Sequence, residues 1–171
     1  MKARNAGLAL ILAGVALAPM GAQSPNNARM VELAGILGKG SDQDSPAKVK
    51  AIQELAGMGA GSGLAAGLLF DRANIQFEAD PLVREAAALA LVQVVDRRNR
   101  MTALRLGRIA NPLNEPEPKV RMAALRSLAA CQSGDAASII YEAARETKEP
   151  DAGVRACARD LIEKGLASSP Y

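Results

Sequence analysis

The stretch EPKVRMAALRSLAAC (residues 117–131) has a counterpart in DPLVREAAALALVQV (residues 80–94). Each begins with an acid, reaches Val-Arg three residues later, and then places Ala and Leu at matching positions. Aligning the chain on the residue before a Lys or Arg gives four copies, anchored at Ala47, Val83, Val120 and Val154. The spacings between anchors are 36, 37 and 34 residues. We infer a tandem repeat.

Four columns of this alignment have a physical meaning. The acid three positions before the anchor can cap a helix N-terminus, and it is Asp44, Asp80, Glu117 and Asp151. The base one position after the anchor is Lys48, Arg84, Arg121 and Arg155. A small and a large apolar residue follow four and eight positions after the anchor, at Ala51, Ala87, Ala124 and Ala158, and at Leu55, Leu91, Leu128 and Ile162. The apolar columns share one helix face and should form the core.

Other segments with helical periodicity lie between these helices, and turn signals rich in Gly, Asn, Ser and Pro separate them. The chain therefore divides into four helix pairs, at about residues 26–59, 60–97, 98–132 and 134–166. No alternating strand pattern competes. We predict an all-α fold in a single domain, residues 23–171.

Composition limits the chemistry that the chain can perform. Of its 171 residues, 49% are hydrophobic but only 2% are aromatic, so the core must consist mainly of aliphatic side chains. The chain contains no His, the commonest general base and metal ligand. Histidine-based triads and zinc sites are excluded, and we expect no catalytic residue, no metal and no cofactor.

The N-terminus has the pattern of a secretory signal peptide. Lys2 and Arg4 precede an apolar stretch at residues 7–18, and Ala22 provides a small residue before a cut. The apolar stretch is shorter than the roughly 20 residues that a membrane-spanning helix needs. We expect residues 1–22 to be removed and the protein to be periplasmic or secreted, with an uncleaved membrane anchor as the alternative.

The charge balance gives no support to a nucleic-acid partner. The whole chain has a net charge of +3. Lys2 and Arg4 belong to the predicted signal peptide, and without them the net charge falls to +1. A nearly neutral exported chain lacks the basic surface that phosphate backbones require.

The D-x-x-V-R-x-x-A-x-x-x-L pattern resembles HEAT repeats, especially the short bacterial kind named after phycobilisome lyases. The resemblance implies a right-handed α-α superhelix, or solenoid, of about four helical hairpins, with the second helix of each hairpin on the concave side. In such repeats the acid and the base form a ladder between neighbours. That role would fall to Asp44, Lys48, Asp80, Arg84, Glu117, Arg121, Asp151 and Arg155. Lys48 departs from the pattern because Lys lacks the planar fork of Arg.

The positions two and six residues after each anchor should face solvent on the second helices. Some of them are apolar, whereas a fully solvated face would be polar. An apolar strip with a polar rim is typical of a protein-binding groove. We predict a partner-binding surface at Val49, Gln53, Glu85, Leu89, Met122, Arg126 and Asp160. The alternative is that the curvature of the solenoid covers the apolar members.

Five arginines cluster around the start of the fifth helix, at Arg97, Arg98, Arg100, Arg105 and Arg108. On a convex helix they would form a basic patch for lipid headgroups or an acidic partner. A solvated helix face is the alternative. We expect any membrane contact to be peripheral.

Cys131 and Cys157 stand eight alignment positions apart in neighbouring repeats. On adjacent parallel helices this offset is roughly 12 Å along the axis, whereas a disulfide needs Cα atoms within about 7 Å. We predict two free thiols.

These features favour a non-catalytic exported scaffold or adaptor that binds another protein, which we expect to be an envelope protein. An accessory structural subunit of a larger envelope or membrane complex is the alternative. A lyase-type enzyme related to the bilin lyases, which contain similar repeats, is the least favoured, because fold analogy alone does not establish activity.

Overall fold

Eight α-helices account for most of the chain that the computed structural model describes, which is residues 25–38, 43–58 and 63–166. They are α1 Pro25–Leu37, α2 Ser45–Gly57, α3 Gly63–Arg72, α4 Pro81–Val94, α5 Arg100–Ala110, α6 Pro118–Ala129, α7 Gly134–Ala143 and α8 Ala152–Leu161. A π-helical turn, Ile162–Leu166, extends α8. These described residues include no strand, and each predicted pair holds two helices. The predicted signal peptide lies outside them.

The acid of the repeat pattern begins each even-numbered helix, as predicted. Its carboxylate accepts a hydrogen bond from a backbone N–H in the first turn, and the capping residues are Asp44, Asp80, Glu117 and Asp151. Proline occupies the first turn of α2, α4 and α6. Its missing N–H costs little there, because the first N–H groups of a helix have no partner within the helix.

The helices pack as a layered repeat. α2, α4, α6 and α8 are neighbours in that order, while α1 packs on α3 and α5 on α7. Each odd helix also packs on the even helix that follows it. This side-by-side order places the same position of successive repeats next to one another.

The predicted apolar columns form the core between the layers. The four alanines of the small column are buried, as are Leu55, Leu91 and Leu128. Ile162 is only partly buried, and it lies just beyond α8, at the start of the π-helical turn. Among the described helices, none is both long and apolar enough to cross a membrane.

Candidate protein-binding surfaces

A ladder of buried ion pairs joins successive repeats. In its second rung, Arg84 of α4 donates from Nε and Nη2 to the Glu115 carboxylate, at 2.8 and 2.9 Å. In its third rung, Arg121 of α6 binds Glu149 in the same way, at 3.0 and 2.7 Å. All four side chains are buried. Bidentate pairing of this kind fixes both the distance and the orientation between neighbouring repeats.

The remaining nitrogen of each arginine is bound within its own repeat. Arg84 Nη1 donates to the carbonyls of Glu78 and Ala79, and Arg121 Nη1 donates to those of Glu115 and Pro116. Each guanidinium therefore ties the turn before its own helix to the turn before the next one.

The prediction that the acid of the D-x-x-V-R pattern is the ladder partner is wrong. The acids of that pattern act as helix N-caps, at Asp44, Asp80, Glu117 and Asp151. The ladder acids are instead the glutamates two residues earlier, which sequence reasoning missed: Glu78, Glu115 and Glu149. A signal was present, because E-x-[D/E]-x-x-V-R recurs at residues 78–84, 115–121 and 149–155.

The two ends of the ladder differ from its centre. In the first rung, Lys48 Nζ donates to Glu78 at 3.2 Å, and Arg72 of α3 approaches the same carboxylate at 3.6 Å. Arg72 is buried, and its Nε has no hydrogen-bond partner. At the other end, Arg155 Nη1 donates to the carbonyls of Glu149 and Pro150. No carboxylate in the described ranges forms an ion pair with it.

The exposed side of the even helices carries the residues predicted to bind a partner, but its apolar centre differs from the prediction. Leu89 is exposed, whereas Val49 and Met122 are partly buried and pack against the core. These two residues are therefore partly covered by the core of the protein. Leu82, which sequence reasoning missed, is 55% exposed.

Leu82 and Leu89 form one apolar ridge on α4. They are seven residues apart, which places them on the same side of the helix two turns from each other. The half-buried Glu85 lies between them. The adjacent helices α2 and α6 contribute the exposed Gln53 and Arg126. Asp160, farther along on α8, is exposed and paired with Lys164 at 2.8 Å.

The five arginines of the predicted basic patch have different partners. Arg100 pairs with Asp135 at 2.8 Å, and that carboxylate raises the pKa of Arg100. Arg98 donates to the Gln132 side chain and Arg97 to a backbone carbonyl. Arg105 instead lies over the ring of Phe70, 3.8 Å from its centroid. Of the five arginines, Arg100 alone forms an ion pair within the described residues, while Arg105 and Arg108 line a cavity that the other three do not.

A cavity of about 300 Å³ lies where these two arginines meet the turns after α3 and α5. We name it the turn-edge pocket. Its lining includes Phe70, Ile75, Phe77, Arg105, Arg108 and Leu113. Leu113 also borders a second cavity, of about 520 Å³, beside α7 and the turn that follows it. Sequence reasoning missed the turn-edge pocket because its apolar residues Ile75, Phe77 and Leu113 lie in turns outside the repeat columns.

Cys131 and Cys157 are free thiols, which confirms that prediction. Burial raises the pKa of both thiols. A raised thiol pKa lowers the population of thiolate, which is the nucleophilic form. Neither site therefore has the electrostatics of an activated cysteine.

Comparison with protein-family models, with curated proteins and with solved structures found no match to this chain.

Proposed function

We propose that this chain is a non-catalytic, exported scaffold that binds another protein through the exposed side of its even helices. The observation that carries the proposal is the Leu82–Leu89 ridge on α4. Exposed apolar side chains framed by polar ones are the usual composition of a protein-binding patch. The side-by-side order of α2, α4, α6 and α8 supports an extended surface on both sides of the ridge.

The finer architecture belongs to the same proposal. We propose that the four helix pairs are HEAT-like repeats wound into a right-handed superhelix, with the even helices on its concave side. The support is the ladder, in which Lys48, Arg84 and Arg121 each bind a glutamate of the next repeat. The second and third rungs share one geometry, which favours the same step between those repeats, and constant steps generate a curved solenoid.

A capture experiment with matched variants tests the binding surface. The tagged chain is purified from its native envelope as wild type, as Leu82→Asp/Leu89→Asp, and as Leu64→Asp. Leu64 is a suitable control because it is 55% exposed, like Leu82, but lies on α3. We expect the same partner to co-elute with wild type and Leu64→Asp and to be lost from the double variant. Retention by the double variant would contradict the proposal.

The size of the captured complex separates this scaffold from the accessory-subunit alternative. The turn-edge pocket, a second exposed apolar area, is the observation that favours a subunit with several neighbours. A stable stoichiometric complex of several chains would support that alternative. A single partner that exchanges during size-exclusion chromatography would support the adaptor.

Export is tested separately by cell fractionation. Full-length chain is expected in the periplasm or medium with residues 1–22 removed. A chain that begins at residue 23 should remain in the cytoplasm. Recovery of the full-length chain there, with residues 1–22 retained, would contradict the export proposal.

A further inference from the structure

The turn-edge pocket has the chemistry of a second binding site, on different elements from the α4 ridge. We infer that it binds a peptide segment of a partner protein in which an acidic side chain stands next to a bulky apolar one. The inference does not depend on the proposed use of the even helices. It rests on apolar exposure, on unpaired charge and on the shape of the cavity.

Apolar exposure is concentrated at this pocket. Nine large hydrophobic side chains are exposed in the described ranges, and three of them line it: Ile75, Phe77 and Leu113. Leu113 is 91% exposed. The turns that present these residues are held by side chains, since Asn74 and Asn111 each accept a 2.9 Å hydrogen bond from the backbone two residues later. The apolar side chains are therefore presented from ordered turns, and their burial by a partner would be favourable.

The charge beside this apolar rim is positive and available. Arg105 and Arg108 stand three residues apart on α5, so they lie on the same side of the helix. Neither forms an ion pair within the described part of the chain. Glu115 also lines the pocket, but Arg84 already binds both of its oxygens. Asp71 is the other carboxylate of the lining, so arginines outnumber free acids and favour an anionic guest.

The orientation of the Arg105 side chain strengthens the preference for an anionic guest. Its guanidinium lies over the Phe70 ring at 3.8 Å, a cation–π contact that restricts the side chain without using its N–H donors. Such a guanidinium can still bind a carboxylate through two parallel hydrogen bonds. Because the Arg105 side chain is already restricted, binding a peptide costs less side-chain entropy.

The shape favours a peptide over a membrane surface. A cavity of about 300 Å³ is concave and can receive an apolar side chain, whereas a bilayer presents a broad plane. A membrane would also require a wide basic face. Arg97, Arg98 and Arg100 do not line the pocket, and the charge of Arg100 is paired with Asp135.

Fluorescence anisotropy with three labelled peptides tests the inference on the intact chain. The probe GSDLFEGS contains both acids and apolar residues, GSKLFKGS replaces the acids, and GSDSSEGS replaces the apolar pair. The protein is used as wild type, Arg108→Glu and Leu113→Asp, with Arg97→Glu and Leu64→Asp as controls. All four positions are exposed, so melting temperatures should confirm folded protein throughout.

We expect only GSDLFEGS to bind. Arg108→Glu and Leu113→Asp should each weaken its binding by about tenfold or more, or about 1.4 kcal/mol, while the two controls leave it unchanged. Equal binding of the three peptides, or binding insensitive to both pocket variants, would overturn the inference. So would Arg108-dependent binding to phosphatidylglycerol vesicles without binding to GSDLFEGS.

Discussion

The first and third rungs of the ladder hold the same kind of carboxylate in two different ways. In the third rung, one arginine, Arg121, binds both oxygens of Glu149 and two backbone carbonyls. In the first rung, Lys48 makes one hydrogen bond to Glu78, and Arg72 reaches the same carboxylate from α3.

The difference follows from the shape of the two cations. A guanidinium is a planar fork that can serve two acceptors on each of two edges, whereas an ammonium is a point charge. In the rung that contains Lys48, a second cation, Arg72, lies near the same carboxylate. Later repeats have Ile109 and Ala143 at the position of Arg72, and in their rungs one arginine binds the glutamate. The same inter-repeat step is therefore built from one arginine in the centre and from two cations at the N-terminal end.

The largest expected effect comes from removing the central cation. Arg121→Met leaves the Glu149 carboxylate, which is 1% exposed, without a counter-charge. Losing one partner of a buried ion pair costs about 3–5 kcal/mol. Urea unfolding should show that loss.

Lys48→Met is the matched change in the first rung. We expect it to cost only about 1 kcal/mol, because its partner Glu78 keeps Arg72 and the loss resembles that of one hydrogen bond. Equal losses for Arg121→Met and Lys48→Met would show that Arg72 does not compensate, and the comparison between the rungs would fail.

A double-mutant cycle sharpens the role of Arg72. Arg72→Ile copies the residue found at this position in the third repeat. We expect it to destabilise the wild-type chain, because the buried Glu78 carboxylate then keeps Lys48 as its one remaining cation. In the Lys48→Arg background the same change should cost about 1 kcal/mol less, a coupling of the size seen between residues in one network. The measurement is the unfolding free energy of the four chains. If Arg72→Ile lowered the unfolding free energy equally in both backgrounds, Arg72 would not be coupled to the first rung.

The C-terminal end of the ladder provides a smaller contrast. Arg155 retains two hydrogen bonds to backbone carbonyls, at 2.9 and 2.7 Å, but has no carboxylate from a following repeat in the described ranges. Arg155→Met should therefore cost roughly 1 kcal/mol, well below Arg121→Met. Urea unfolding of the two variants side by side checks this. A loss as large as that at Arg121 would show that the carboxylate is not what makes the central rungs strong.

The sequence was sufficient for the helices and their core because those depend on local spacing. An acid, a proline, and apolar residues at helical intervals specify where a helix begins and which face it buries. The buried Leu91 and Leu128 follow from that spacing alone.

The partners within each rung and the exposed surfaces could not be predicted from this local spacing. A rung joins two repeats, so spacing within one repeat does not say whether Asp80 or Glu78 reaches the cation. For the same reason, spacing within one repeat does not predict which side chains are exposed. Met122 and Leu89 occupy related positions of the pattern, yet the packing of neighbouring helices covers one and exposes the other. The turn-edge pocket requires two turns to come together, which only the three-dimensional packing determines.

The smallest expected effect lies beside the first rung and depends on pH. The Ser45 hydroxyl donates to the Asp80 carboxylate of the next repeat, at a position where later repeats have Pro81 and Pro118. This bond, together with the backbone N–H of Leu82, lowers the pKa of Asp80. A carboxyl whose folded pKa is depressed adds stability above its ordinary value of about 3.9, and that stability disappears as the pH falls through the folded pKa.

Ser45→Ala should accordingly lower the melting temperature at pH 7, by an amount equivalent to at most about 1 kcal/mol. The deficit should shrink as the pH falls below about 4, because protonated Asp80 no longer favours that hydrogen bond. Ser133→Ala is the control: it removes the cap of α7, whose hydroxyl accepts from Ala136 at 3.2 Å and does not titrate. The loss of melting temperature caused by Ser133→Ala should be the same at pH 7 and below about pH 4. If the Ser45→Ala deficit were also constant, the hydroxyl would not be acting on the charged form of Asp80, and the first rung would lack the lateral tie that distinguishes it from the central rungs.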